Sequence, residues 1–569
     1  MKKFLIGLVT GLLLAALTLV LGIFALVRMA QTRPVVADGS TLVLRLQGPI
    51  PEKAPTDIPL PFFEEQSPST VHEIWTALER AATDKRIKAL LLMPRGAGAG
   101  WGKLQEIREG ILKFRKSGKP VVAWLSMPAT RDYYLATAAE KVYMSPEDLL
   151  DLKGLRAEAM FIKGTLDKIG VKVDVEHAGK YKDYGDMFVR TSLSPASREV
   201  LNSILDGVYG TLIQTISESR KKTPEEVRAL IDKGPFLARQ ARESGLVDDL
   251  LYEDQVLAGL RSNLQQQELK RISHRDYLKA VSPVFTRNRI ALVVADGSIL
   301  RGAGEDDVTS VTFTKLLRSV AADKSLAGVI LRIDSPGGDA IASDEILREV
   351  KLLSERKPLV ISMSDMAASG GYYIASSGDG IVAYPNTFTG SIGVVYGKLN
   401  LRGLYDKLGI QKEILTRGKF ADVDSDYQPL SEAGRAKLRE GLDQMYRSFV
   451  GHVAESRKRR FEEIELLAQG RVWLGSQARR NGLVDELGGL DKAIELVKAK
   501  AKIGRDEAVR LLPYPPRKSI FEKLLSRNVE TLAEVRVKAR LREVFGSFDP
   551  RLWLRGGLMK VVPYTIQIK

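Results

Sequence analysis

The sequence predicts an α/β protein of two tandem domains, each a stack of βαβ units, behind one transmembrane helix. Three observations predict it. Strand-like runs alternate with helical patterns, that alternation is run through twice, and the amino terminus opens on a long apolar stretch. Alternating strands and helices argue for parallel sheets. At 569 residues the chain also exceeds what one core holds, roughly 250–300 residues.

The first element is an anchor at residues 4–28. Residues 4–27 are uncharged and rich in Leu, Val, Ile, Ala and Gly. As a helix they reach roughly 36 Å, enough to cross a bilayer with some tilt. The stretch is too long for a typical secretory signal, so an uncleaved single span is expected. With so short a head the amino terminus stays inside. The body then sits on the extracytoplasmic (periplasmic) side of the inner membrane.

Each half begins with a strand-like run ending in Gly, at 41–48 and 290–297. A helix pattern follows, then a buried type of strand (89–93; 328–333), another helix and another strand (121–125; 359–363). The halves close on matching ends, Gly245-Leu246-Val247-Asp248 and Gly482-Leu483-Val484-Asp485. These marks set the domains at 41–285 and 288–510, with a helical connector at 256–278. A tail at 511–569 opens with Pro513-Tyr514-Pro515-Pro516 and has no counterpart in the first half. From Arg517 onward it carries 12 Lys and Arg against 5 Asp and Glu. It reads first as a solvated helix face and second as a partner for anionic lipid.

The repeat has a register of 239 residues. Asp167-Lys168-Ile169-Gly170 recurs as Asp406-Lys407-Leu408-Gly409, Tyr133-Tyr134 as Tyr372-Tyr373, and Gly179-Lys180-Tyr181-Lys182-Asp183 as Gly418-Lys419-Phe420-Ala421-Asp422. Read across that register, Ser369 faces Thr130 and Lys182 faces Ala421. One half keeps a candidate nucleophile, and the other keeps a candidate base.

Composition removes several chemistries. With no cysteine, thiol nucleophiles, disulfides and cysteine zinc sites are excluded. Four histidines (His72, His177, His274, His452) leave little room for a histidine triad or a multi-histidine metal site. There is no phosphate-binding glycine loop. Despite a net charge of +16, no basic-aromatic module points to nucleic acid.

The candidate chemistry lies in the second half. A strand runs into Ser335-Pro336-Gly337-Gly338, a turn that exposes backbone amides able to hold a negative oxygen. Asp365-Met366-Ala367-Ala368-Ser369-Gly370-Gly371-Tyr372-Tyr373 then carries Ser369 from a strand into a helix start. There the helix dipole and the Gly370 N–H favour an oxyanion, although serine also simply caps helices. A serine hydroxyl needs an adjacent base, and lysine serves only when burial lowers its pKa several units from about 10.4. If the segment 179–183 is extended, Asp183 points away from the Lys182 amine. Lys180 has the repeat partner Lys419 and reads as a surface residue. His177 reads as an ordinary surface histidine, and Asp334 as a turn-stabilising carboxylate.

Ser-Pro-Gly-Gly, then Ala-Ala-Ser-Gly-Gly-Tyr-Tyr, then Phe388-Thr389-Gly390-Ser391-Ile392-Gly393 closely resembles the signal peptide peptidase A family of serine peptidases. The duplication behind an anchor resembles its long, two-domain form, over roughly residues 1–500. The resemblance implies the Clp protease and crotonase superfamily fold and a Ser/Lys dyad. It makes Ser369 the nucleophile and Lys182 the general base, with Gly338 and Gly370 as oxyanion donors and Ser391 orienting the lysine. It also implies cleaved signal peptides and other apolar peptides as substrates, small or medium apolar residues before the cut, no cofactor, and a ring-shaped homotetramer. The alternatives are a catalytically silent peptide-binding scaffold and acyl-CoA chemistry on the same fold. Neither needs both Ser369 and Lys182.

Overall fold

The computed structural model describes residues 34–53, 68–516, 557–562 and 568, with short helical pieces between 3 and 22. Among the described residues no helix is long and apolar enough to cross a membrane. The anchor expected over 4–28 is covered by them only in fragments.

The first half is built on a six-stranded parallel sheet. Its order is Asp249–Leu250, Lys141–Met144, Val121–Leu125, Ile87–Gly98, Ser40–Pro49 and Arg271–Ser273. The second half repeats the plan in Leu359–Ala368, Leu326–Ser335, Arg289–Asp296 and Arg510–Tyr514, again parallel. Helices cover these sheets, so the central strands are buried on both faces and run as unbroken Val, Ile and Leu. Leu90, Leu92, Ile330 and Leu331 have no exposed surface. A 26-residue helix crosses each half, Pro195–Arg220 and Glu432–Arg457, each capped by a serine hydroxyl that accepts a backbone N–H of its first turn.

Two differences from the sequence expectation have physical reasons. The segment 256–278 is more than a helical connector, because Arg271–Ser273 joins the first sheet beside Ser40–Pro49. The second sheet likewise continues past residue 510. Arg510–Tyr514 lies at its edge against Arg289–Asp296, where Pro513 is tolerated in an outermost strand. That strand is the counterpart in the second half of Arg271–Ser273.

A third sheet joins the halves. Lys172–Ala178 leaves the first half and pairs antiparallel along its length with Val394–Asn400 of the second, Ala178 opposite Val394. This ladder delivers the chain just after Ala178 to the rim of the second domain. Buried charge pairs tie the halves elsewhere. Arg332 meets Glu52 at 2.9 Å and also pairs with Glu106, and Lys103 meets Asp334 at 2.7 Å. Each such charge is compensated where it is desolvated.

Candidate active site

Ser369 sits between the strand Leu359–Ala368 and the short helix Gly370–Ala375, with φ 53° and ψ −113°. A positive φ at a non-glycine residue costs on the order of 1–3 kcal/mol and persists only when its surroundings enforce it. Here the Ser369 N–H donates to the Gly390 carbonyl at 2.8 Å, and the Tyr373 N–H donates to the Ser369 carbonyl at 2.8 Å. The backbone is pinned on both sides.

Lys182 arrives from the first half on a tight turn. Its own N–H donates to the Gly179 carbonyl at 3.1 Å, so the segment is a turn and the condition of an extended run is not met. Gly179, at φ 113°, supplies the reversal directly after the strand Lys172–Ala178. The Lys182 side chain is wholly buried. Its Nζ lies 2.7 Å from Ser369 Oγ, 2.8 Å from the Ser391 carbonyl oxygen and 2.9 Å from Ser391 Oγ. Ser391 is itself held at φ 51°, its N–H donating to the Arg471 carbonyl at 2.7 Å.

Burial pulls the Lys182 amine well below the usual lysine range; Asp183 opposes that shift and Lys560 adds to it. Asp183 is buried beside the lysine, and it accepts the Ser197 hydroxyl. A neutral amine has two N–H donors and one lone pair. The two oxygens of Ser391 take the donors, which leaves the lone pair for the Ser369 O–H. That arrangement can draw the proton off the serine.

Gly338 lies in the strand Gly337–Asp339, beyond the end of Leu326–Ser335, and Gly370 follows the serine directly. A methyl group at Gly338 would fall 2.1 Å from the Ile299 carbonyl oxygen, so no side chain fits beside that amide. The remaining sequence candidates lie elsewhere. His177 is exposed, its ring nitrogen 3.1 Å from the Gly179 carbonyl oxygen, and Lys180 is exposed with its Nζ 3.2 Å from the Tyr181 hydroxyl. Asp334 accepts the Met366 N–H at 3.0 Å and pairs with Lys103, which makes it a tie between the halves.

The corresponding place in the first half is closed by its own side chains. Asp132 accepts the amides of Gly96 and Ala97, both at 3.0 Å, and Thr130 donates its hydroxyl to the Asp151 carbonyl at 3.2 Å. That carboxylate ties the end of the strand Ile87–Gly98 to the helix that begins at Thr130. Lys419 and Ala421 of the second half are both exposed.

Sequence reasoning missed the Ser391 carbonyl as a partner of the amine, which no side-chain pattern encodes. It also missed Gly470, at φ 79°, where a methyl group would meet the Lys182 Cβ at 2.6 Å. Among the described residues no group of His, Asp and Glu is placed to hold a metal ion.

The profile of peptidase family S49 matches residues 113–267 and 351–504, one stretch in each half. The chain is 36% identical over 490 residues to the chloroplastic serine protease SPPA of Arabidopsis thaliana, covering 84% of this chain and 71% of that one. It is 32% identical over 452 residues to protease 4 of Salmonella typhi, covering 76% and 73%. Protease 4 of Haemophilus influenzae matches at 31% over 455 residues, covering 76% and 73%.

Proposed function

The chain belongs to peptidase family S49 and is a serine peptidase of the long, two-domain form; from that premise we propose a membrane-anchored endopeptidase that degrades cleaved signal peptides with a Ser369/Lys182 dyad. Ser369 Oγ attacks a peptide carbonyl, and its proton passes to the neutral Lys182 amine. The Gly338 and Gly370 N–H groups hold the negative oxygen, a contribution on the order of 3–4 kcal/mol per donor. Lys182 then gives the proton to the leaving amine. Water, deprotonated by the same amine, frees the acyl-enzyme. Ser391 fixes the amine through both of its oxygens.

The observation that carries this reading is the buried Lys182 Nζ 2.7 Å from Ser369 Oγ, in surroundings that lower the lysine pKa. The apolar stretch at 4–28 supports a single-pass inner-membrane anchor, with the body on the periplasmic side. Such an anchor keeps the cleft near apolar peptides left in the bilayer. The fold is that of the Clp and crotonase superfamily, the assembly is a homotetrameric ring, and no cofactor takes part.

The test is degradation of a synthetic signal peptide by the full chain in detergent micelles. Wild type cuts it into short fragments, whereas Ser369→Ala leaves it whole. A wild-type chain that labels with a serine-directed probe yet spares signal peptides while cutting soluble ones would remove the assigned substrate class.

A further inference from the structure

The loop 469–471 of the second half grips the turn that carries Lys182. The Tyr181 N–H donates to the Gln469 carbonyl at 2.7 Å, and the Lys180 N–H donates to the Gln469 side-chain oxygen at 3.2 Å. The Gln469 side-chain amide donates in turn to the Tyr446 hydroxyl at 3.0 Å. The Gly470 N–H donates to the Ile392 carbonyl at 2.8 Å, one residue past Ser391, and the Arg471 carbonyl takes the Ser391 N–H. Three consecutive residues together touch both the lysine turn and the serine that orients the amine.

The Arg471 side chain closes the same grip from outside. Its guanidinium carbon lies 5.1 Å from the centre of the Tyr181 ring and 4.5 Å from that of the Trp473 ring. The guanidinium pairs with Glu199 on the helix Pro195–Arg220, and the Tyr181 hydroxyl donates to the same carboxylate at 3.2 Å. The Trp473 indole is fixed by donation to the Leu467 carbonyl at 2.9 Å. Only 17% of the Arg471 side chain is exposed. A flat guanidinium can stack on ring faces and hold a carboxylate at its edge at once, which a lysine ammonium cannot do.

The halves differ at this loop as they differ at the dyad. Phe388–Gly390 pairs antiparallel with Val472–Leu474, and Leu149–Leu150 pairs with Phe236–Leu237 in the same way. Phe388 opposite Leu474 matches Leu149 opposite Leu237, so Arg471 corresponds to Gly234 and Ser391 to Leu152. A methyl group on Gly234 would fall 1.8 Å from the Leu152 carbonyl oxygen. The half without a nucleophile has neither the orienting serine nor room for a side chain in place of the arginine.

We propose that Arg471 is a positioning residue for the general base: its guanidinium, set over the Tyr181 ring and tied to Glu199, holds the turn 179–183 against the second half so that Lys182 Nζ stays seated between Ser391 and Ser369. The inference rests on the Ser369/Lys182 reading. Without the guanidinium the turn is kept by its backbone contacts alone, and water gains access to the amine. Water favours the charged form, so the lysine is harder to keep neutral. The charged groups that act on Lys182, Asp183 and Lys560, stay as they are when Arg471 or Tyr181 is replaced.

The test is the rate at which a fluorophosphonate probe modifies Ser369 in the full chain in detergent micelles, followed from acid to about pH 10, near the ordinary lysine value. In Arg471→Ala the acid limb of that rate moves up by about one pH unit, a part of the several units that burial can remove from a lysine, so the rate in mild acid falls about tenfold. Arg471→Lys, which keeps a cation opposite Glu199 but not the flat stack, moves the limb the same way by less. Tyr181→Ala gives the displacement of Arg471→Ala, and combining the two adds nothing, because the arginine acts through that ring. An acid limb unmoved in both arginine variants, or losses that multiply in the double variant, overturns the proposal. Lys182→Ala separates the two levels. A chain whose labelling needs Lys182 but whose acid limb ignores Arg471 loses only this assignment, whereas labelling that ignores Lys182 removes the dyad itself.

Discussion

Lys182 and Ser391 meet at two atoms, the amine standing 2.8 Å from the serine carbonyl and 2.9 Å from its hydroxyl. The residues come from different halves, 209 positions apart, and the strand pairing of Ala178 with Val394 brings them together. With both amine hydrogens taken, the remaining lone pair points to Ser369. Replacing Ser391 with Ala removes one of the two anchors and leaves the backbone one. We expect kcat to fall by about 10²-fold with KM little changed, as for loss of positioning rather than of binding. Steady-state kinetics check this, and an unchanged kcat would free Ser391 of the role.

The lowered pKa of Lys182 fixes the sign of the pH dependence. The amine works only when neutral, so kcat/KM persists well below pH 10.5 and falls as acid protonates it. Activity that rises only near the ordinary lysine value of 10.5 would contradict a lowered pKa.

The same group lowers stability. Its folded pKa lies below its unfolded one, so between the two values the unfolded chain binds more protons and stability rises with pH. Lys182→Met removes that penalty while filling the space. We expect an inactive variant more stable than wild type by about 1 kcal/mol at neutral pH. The margin should widen in acid and close above pH 10.5, as followed by thermal melting.

Lys103 acts at the seam between the halves. Burial opposes its charge, but Asp334 at 2.7 Å and Asp365 at 3.6 Å outweigh it and hold the amine well above the usual lysine range. Lys103→Met leaves those carboxylates without their cation and should cost about 3–5 kcal/mol. Adding Asp334→Asn should restore part of the loss. Denaturant midpoints of both variants check it, and a neutral single variant would contradict the assignment.

Much of the fold was legible because parallel strands covered on both faces must be apolar throughout. The run Val329 to Ile333 could be read without its neighbours, since it lies wholly inside the strand Leu326–Ser335. Comparing the halves singled out Ser369 and Lys182, because Thr130 and Ala421 stand in their places. Short edge strands escaped: the three residues Arg271–Ser273 show no alternation, and Pro513 argues against a strand. The turn at Lys182 was missed because it depends on Gly179 at φ 113°. The register of the strand Gly557–Val561 was not legible because nothing local in the tail encodes its antiparallel pairing with Gly337–Asp339.

The most direct measurement is the rate at which a fluorophosphonate probe modifies the full chain, with the modified residue identified by mass spectrometry. A lysine that activates the serine across the domain seam predicts modification at Ser369, none in Ser369→Ala, and a rate reduced by at least 10²-fold in Lys182→Ala while Lys419→Ala reacts as wild type. Modification of Ser369 at an equal rate with and without Lys182 would contradict it.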